Sequence, residues 1–502
     1  MLKLEFLTEE LCWFRPVLKE TKLVEETIET IIPDSCPDVT ESLFAGGMAF
    51  LRGKEQLEGR LTVSVGVSAS ALALPEGRDT PEVVEAYIPM SAVFESGEIT
   101  GIRRCYAEVE LRRVDSHLVN PRKVMLRATV AVTVSVYEEV REAHPKALVS
   151  GDIELLEKKQ PLRVITALGD KTYTAEDTVM LNLDGESGKI VDTQVELSHT
   201  DIRLSGTRVV FRGMAQLRLL FLNDSNEFVK GEGTMTFSQY IDLGEAGEED
   251  QVFLHTQLSG ADVDVGPDGN LNVTLQMHTC AKVWGDREIS YFADGYCLHG
   301  ELHPDTTERE YTSMLDRQYF SPVGSCEIGG ISGQIKAIRL LPQEHTMERN
   351  GERVEFVLPI QASVLVEEAD GRLSSRNGRG EMRCMTQASK DCSFRLQPEG
   401  LEGRAMPATG GAEVQITGTL CLSTFADARI SEIVGGETEE ESGQTEIPGL
   451  VIRRVAEGDS LWSLAKRYKT TAKVIRSANG LQEDDAIGGL LLIPRRSSMR
   501  SN

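Results

Sequence analysis

Apolar and polar residues alternate one for one through Leu61, Val63, Val65 and Val67, with Thr62, Ser64 and Gly66 between them. Leu126, Ala128, Val130, Val132, Val134 and Val136 repeat the pattern against Arg127, Thr129, Thr133 and Ser135. Successive side chains of a strand point to opposite faces, so each run predicts a strand with one buried and one wetted face. The pair returns as Val209, Phe211, Ala215, Leu217, Leu219 and Phe221, then Leu271, Val273, Leu275 and Met277. It returns again as Val354, Phe356, Leu358, Ile360, Ala362, Val364 and Val366, then Val414, Ile416, Leu420 and Leu422.

Turn residues keep step with these strands. Pro75-Glu76-Gly77, Asn223-Asp224-Ser225 and Ala369-Asp370-Gly371 follow the first strand of each pair. Asn120-Pro121-Arg122, Gly266-Pro267-Asp268-Gly269 and Ala408-Thr409-Gly410-Gly411 precede the second. Two kinds of landmark in one order, three times, argue for an internal triplication. The expected class is mainly β, with three repeated β-sandwich-like modules at residues 30–140, 166–310 and 311–434. Residues 1–29 read as a leading segment. Residues 140–161 are charged without clear alternation, so 141–165 is expected as a helix or connector. The acidic, glycine-containing stretch 435–449 reads as an extended tether.

The period changes after residue 450. Leu461, Leu464, Ala465 and Tyr468 fall at i, i+3, i+4 and i+7, one stripe of a helix. Gly458-Asp459-Ser460 supplies a turn and two good capping types before it. Thr470 or Thr471 caps a second helix with Val474, Ile475 and Ala478 inside, and Asn479-Gly480 ends it. Strands at 452–455 and 490–493 complete a βααβ unit within 450–496. So small a unit buries little surface.

Net charge is −26, and its distribution is uneven. Residues 451–502 hold ten Lys/Arg against five acids, so the rest of the chain carries −31. An acidic body disfavours nucleic acid and anionic lipid, whose phosphates need clustered cations. No stretch approaches the roughly 18 apolar residues of a membrane span. The start, Met1-Leu2-Lys3-Leu4-Glu5-Phe6, lacks an apolar signal core, so the chain is expected to stay in the cytosol of the cell that makes it. Nine scattered cysteines without a C-x-x-C pair read as reduced, mostly buried thiols.

The order Gly458-Asp459-Ser460-Leu461-Trp462 through Asn479-Gly480-Leu481 to Leu490-Leu491-Leu492-Ile493-Pro494 resembles the LysM module, a family that binds and does not catalyse. The resemblance implies a ligand groove between two loops. Gly458, Asp459, Ser460, Leu461 and Trp462 stand on one side. Asn479, Gly480, Leu481, Ile487, Gly488 and Gly489 stand on the other. Ile487-Gly488-Gly489 departs from the family's usual proline, glycine and polar residue. Asp459 and Trp462 equally suit a cap and a packing role.

Ile31-Ile32-Pro33-Asp34-Ser35-Cys36-Pro37-Asp38-Val39, with β modules and a C-terminal LysM, resembles the SPOCS-domain spore-coat morphogenetic proteins of endospore-forming bacteria, the clostridial SipL-like type in layout. That resemblance implies a protein of the mother-cell cytoplasm at the forespore surface. There its LysM end would engage the coat's basement-layer ATPase and its β modules would promote encasement. The alternative is binding of peptidoglycan, an N-acetylglucosamine polymer. Pro33, Asp34, Pro37 and Asp38 also read simply as a turn before the first strand.

Catalytic signals are weak. His299 and His303 flank Glu301, but Gly295, Gly300 and Pro304 disfavour the helix a metal pair at that spacing needs. His278 falls on an outward strand row with Cys280 beside it. Gly400-Leu401-Glu402-Gly403 and Gly410-Gly411 lack the strand–glycine–helix context of a phosphate loop. The expectation is a non-enzymatic protein with no metal site and no cofactor.

Overall fold

The structure is a computed structural model, described for residues 2–77, 80–149, 152–244, 247, 249–408, 410–440, 449–482 and 487–495. One six-strand plan occurs three times. A long opening strand pairs antiparallel with the closing strand of its own unit: Phe6–Ile31 with Lys123–Leu148, and Ile153–Val179 with Leu271–Cys297. In the third unit Gly300–Phe320 and Gly324–Gly329 together pair with Gly411–Glu440. The opening strands start at residues 6, 153 and 300, a constant step of 147.

Between opening and closing strands runs a three-strand meander. Its members are Val39–Leu57, Arg60–Pro75 and Glu82–Glu95 in the first unit, and Lys189–Ser205, Arg208–Leu222 and Phe228–Asp242 in the second. The third has Gln334–Pro342 with Thr346–Asn350, Arg353–Glu367 and Leu373–Gln387. A hairpin strand then leads back to each closing strand: Arg104–Asn120, Gln251–Val265 and Cys392–Ala408.

Meander and closing strand face each other through the alternating rows read from the sequence. Leu61, Val63, Val65 and Val67 meet Leu126 through Val136 in one core, and the corresponding rows build the second and third. Every residue of these rows is at most 4 % exposed. Burying one such side chain contributes about 1.5–3 kcal/mol, so the rows carry much of each sandwich. The fold is mainly β, as expected.

The edges of the units differ from expectation. Phe6–Ile31 is no leading segment but a strand paired along its length. The described residues of 141–165 form no helix; they lie mostly in the strands Lys123–Leu148 and Ile153–Val179. Alternation is blurred there because charged side chains lie between units and find partners across the chain. Arg309 binds both Glu142 and the fully buried Glu432, and His144 Nδ1 lies 3.2 Å from Glu432. Residues 435–440 are no tether either: they pair with Gly300–Asp305, and Leu2–Lys3 pairs beside them. Residues 441–448 of the expected tether lie outside the described residues.

The three sandwiches close on one another about a pseudo-threefold axis. Gln257 of the second unit donates to the Ala107 carbonyl at 2.7 Å and accepts from the Val109 amide at 3.0 Å in the first. Arg112 of the first donates to the Pro342 carbonyl of the third at 2.6 Å. The buried Arg339 of the third pairs with Asp192 of the second at 2.6 Å and donates to the Gly47 carbonyl of the first. A Cβ on neighbouring Gly46 would lie 2.2 Å from the Asp192 carboxylate, so only glycine lets the three units approach there. On the axis, Trp13, Leu162, Val164, Ile289, Tyr311 and Ile430 form a core to which every unit contributes.

A candidate binding groove on a docked head

The terminal unit is small and self-consistent. Leu450–Arg454 pairs with Leu490–Pro494 beneath α1 (Leu461–Tyr468) and α2 (Ala472–Asn479). Ser460 and Ser463 form a reciprocal capping box: the Ser463 amide donates to Ser460 Oγ at 3.0 Å, and the Ser460 amide to Ser463 Oγ at 2.8 Å. Thr471, not Thr470, caps α2 by accepting from the Val474 amide at 3.1 Å. Leu464, Ala465, Ile475, Leu491 and Ile493 are its buried centre. Ala478, expected inside α2, is exposed, and Ala472 packs instead.

Two loops meet at one end of this unit. The Val455 amide donates to the Gly489 carbonyl at 2.9 Å, which holds the turn before α1 against the loop before the last strand. Asp459 closes the first loop: its carboxylate accepts from the Ala456 amide at 2.9 Å and from Arg453 at 3.1 Å. Those two donors, the amide foremost, hold its carboxyl below the usual range. Asn479 locks the second: its side chain donates to the Leu492 carbonyl at 2.6 Å and accepts from the Leu492 amide at 2.8 Å. Asp459 and Asn479 therefore fix the two loops through hydrogen bonds of their own.

The other residues expected to line the groove lie on or near the surface of these loops. Gly458, Ser460, Gly480, Gly488 and Gly489 are exposed, and Leu461, Leu481 and Ile487 are half-buried against the same core. Gly458, Gly480 and Gly489 have φ of 86°, 63° and 69°, a left-handed backbone that side chains disfavour. Residues 483–486 of the second loop lie outside the described residues.

Trp462 stands apart from its expected neighbours. Its Nε1 donates to Asp294 of the body at 2.8 Å, and its ring meets Tyr296 edge-on at 5.0 Å. Lys466 reaches the same carboxylate at 2.6 Å. Tyr296 donates to the Thr470 carbonyl at 2.6 Å, and Lys469 to the Gly300 carbonyl at 2.6 Å. Burial alone would raise the Asp294 carboxyl, but the Lys466 and Trp462 donors outweigh it and keep the group ionised. The α1 face is thus committed to the second unit's closing strand. Asp294 and Tyr296 carry no local signal of this role, because their partners lie some 170 residues away in sequence.

The other sequence candidates have structural surroundings. Arg122 donates to the carbonyls of Cys36, Pro33 and Ile32 at 2.6, 2.9 and 3.1 Å and to Asp34 at 3.1 Å, clamping the Pro33–Asp38 turn. His299 and His303 are exposed and face different acids, Asp152 at 3.9 Å and Glu439 at 3.7 Å. Among the described residues no three His, Cys, Asp or Glu side chains converge on a metal position. His278, read as outward, is buried; Thr172 lies 2.9 Å and Cys280 Sγ 3.4 Å from its ring nitrogens. Burial pushes the Cys280 thiol up to about 12, so it stays protonated at neutral pH. None of the nine cysteines forms a disulfide.

No helix among the described residues is long and apolar enough to cross a membrane. No curated protein matches the chain, and no solved structure does. The family model of the LysM domain matches residues 454–487, the stretch holding both helices and the turn before α1, and this part of the chain is a LysM domain.

Proposed function

We propose that the protein is a non-enzymatic assembly protein whose LysM head binds an N-acetylglucosamine polymer of the peptidoglycan type. The observation that supports this most is the division of labour in the head: α1 is fastened to the body through Trp462 and Lys466, while the glycine loops stay exposed. An acetamido sugar presents planar amides and apolar ring faces. Backbone N–H and C=O groups of glycine-rich loops suit the amides, and Leu461, Leu481 and Ile487 offer an apolar floor. A shallow groove gives modest affinity per site, which a repeating ligand raises through effective concentration. In co-sedimentation with purified peptidoglycan, the full chain should be retained, and Leu481→Asp should lose most of that retention. Equal retention of the variant would sink the glycan reading.

A second reading gives the same groove a protein partner, the coat's basement-layer ATPase, at the forespore surface in the mother-cell cytoplasm. Its support is the Ile31–Val39 motif, together with the excess of Lys and Arg in residues 451–502. Under this reading the chain would not sediment with peptidoglycan, and Leu481→Asp would disperse a tagged protein from the forespore.

A further inference from the structure

A cavity of about 280 Å³ opens where the three hairpin strands converge on the pseudo-threefold axis. Its inner wall is aromatic and symmetric. Tyr137, Trp284 and Phe425 occupy equivalent places in the three closing strands, opposite Pro16, Ile165 and Met314 of the opening strands. All six line the cavity.

Two residues back along each closing strand the symmetry becomes cationic. The strand pairs there are Lys19 with Ser135, Leu168 with Lys282, and Arg317 with Ser423. Each unit thus supplies one cation at the same level: Lys19, Lys282 and Arg317. Arg395 adds a fourth and holds Glu108, the one acid in the wall, through both carboxylate oxygens at 2.6 and 2.7 Å. With His255 neutral, the wall carries +3 inside a chain of −26. Among the described residues Lys19 and Lys282 make no ion pair within the 4 Å range. Lys282 rests 5.0 Å over the Tyr137 ring, and Arg317 4.1 Å over the Phe253 ring. Lys19 is exposed and Lys282 and Arg317 are half-buried, but three like charges gathered around one apolar recess repel one another, and a bound anion would relieve that repulsion.

We infer that this cavity is a binding site for a small organic anion, a carboxylate whose apolar or aromatic body rests against the wall of Tyr137, Trp284 and Phe425 while its charge meets Lys19, Lys282 and Arg317. The site is built from all three units and lies apart from the LysM groove. A ligand there would act as a keystone, since it touches every unit at once.

Calorimetric titration of the full chain with 2-naphthoate tests the assignment, with the uncharged 2-naphthamide as control. Naphthoate should bind in the millimolar range or tighter and quench tryptophan fluorescence through Trp284, and naphthamide should not bind. Lys19→Gln and Lys282→Gln should each weaken naphthoate roughly tenfold or more while the melting temperature without ligand does not fall. Leu481→Asp in the head should leave the titration as it was, which separates this site from the glycan groove. No heat with naphthoate at millimolar concentration, equal binding of the amide, or unchanged affinity in both lysine variants would overturn the inference.

Discussion

His199 shows how far a single side chain feels the packing around it. Its ring sits edge-on to Phe211 at 5.7 Å, and its Nε2 lies 2.9 Å from the Thr256 hydroxyl. Burial foremost, with repulsion from His255, pulls its pKa from 6.5 down to about 4. His255, His278 and His345 are also lowered, burial again being the largest cause. Between pH 6.5 and 4 the unfolded chain takes up protons that the native His199 refuses, so stability is full above that window and drains away as pH falls through it. The urea midpoint should therefore drop from pH 7 to pH 4.5, and less steeply in His199→Gln; parallel slopes would contradict this assignment. Roles at this scale are hard to read from the chain. Alternation marks His278 as outward from its own sandwich, but the first unit covers that face, where Lys54 reaches Asp170 at 3.3 Å.

Among the elements, the opening strands matter most and are the least legible. The cores announce themselves because one face of each meander strand is apolar and the other wet, the condition under which period two survives. An opening strand spends part of its length between units, where Asp170 pairs with Lys54 and Arg309 with Glu142, and its alternation dissolves into charges. The terminal helices are legible for the opposite reason: capping and the i, i+3, i+4 stripe are local, and Ser460 and Thr471 cap where their residue types suggest. The turns of the two loops are readable in the same way, through Gly458, Gly480 and Gly489. The destination of Trp462 is not, since no local pattern names Asp294. Removing residues 2–31 should unpair Lys123–Leu148 along its length and expose its ladder. Size-exclusion chromatography and circular dichroism should then show an aggregated or partly unfolded protein, whereas removing residues 449–502 should leave the body's β signal intact. A folded, monodisperse product lacking 2–31 would refute this dependence.

At the scale of the molecule, the modest aromatic content suggests separate modules with small cores, yet the units share a common centre. Trp13, Tyr311 and Ile430 come from two different units and meet on the axis. The sequence reports the repeat but not its closure, because contacts between units are made by arginines and glutamines on carbonyls that no periodicity marks. One detail of that closure has an architectural consequence. Leu2 pairs with Thr438, and the Leu4 amide donates to the Gly436 carbonyl at 2.9 Å, so the first and last strands of the body lie side by side. A body whose termini are neighbours can be spliced there and reopened elsewhere. A circular permutant that joins residue 440 to residue 2 and starts at Gly300 should fold to the same melting temperature within a few degrees. In that sense the three repeats are interchangeable starting points of one closed circuit.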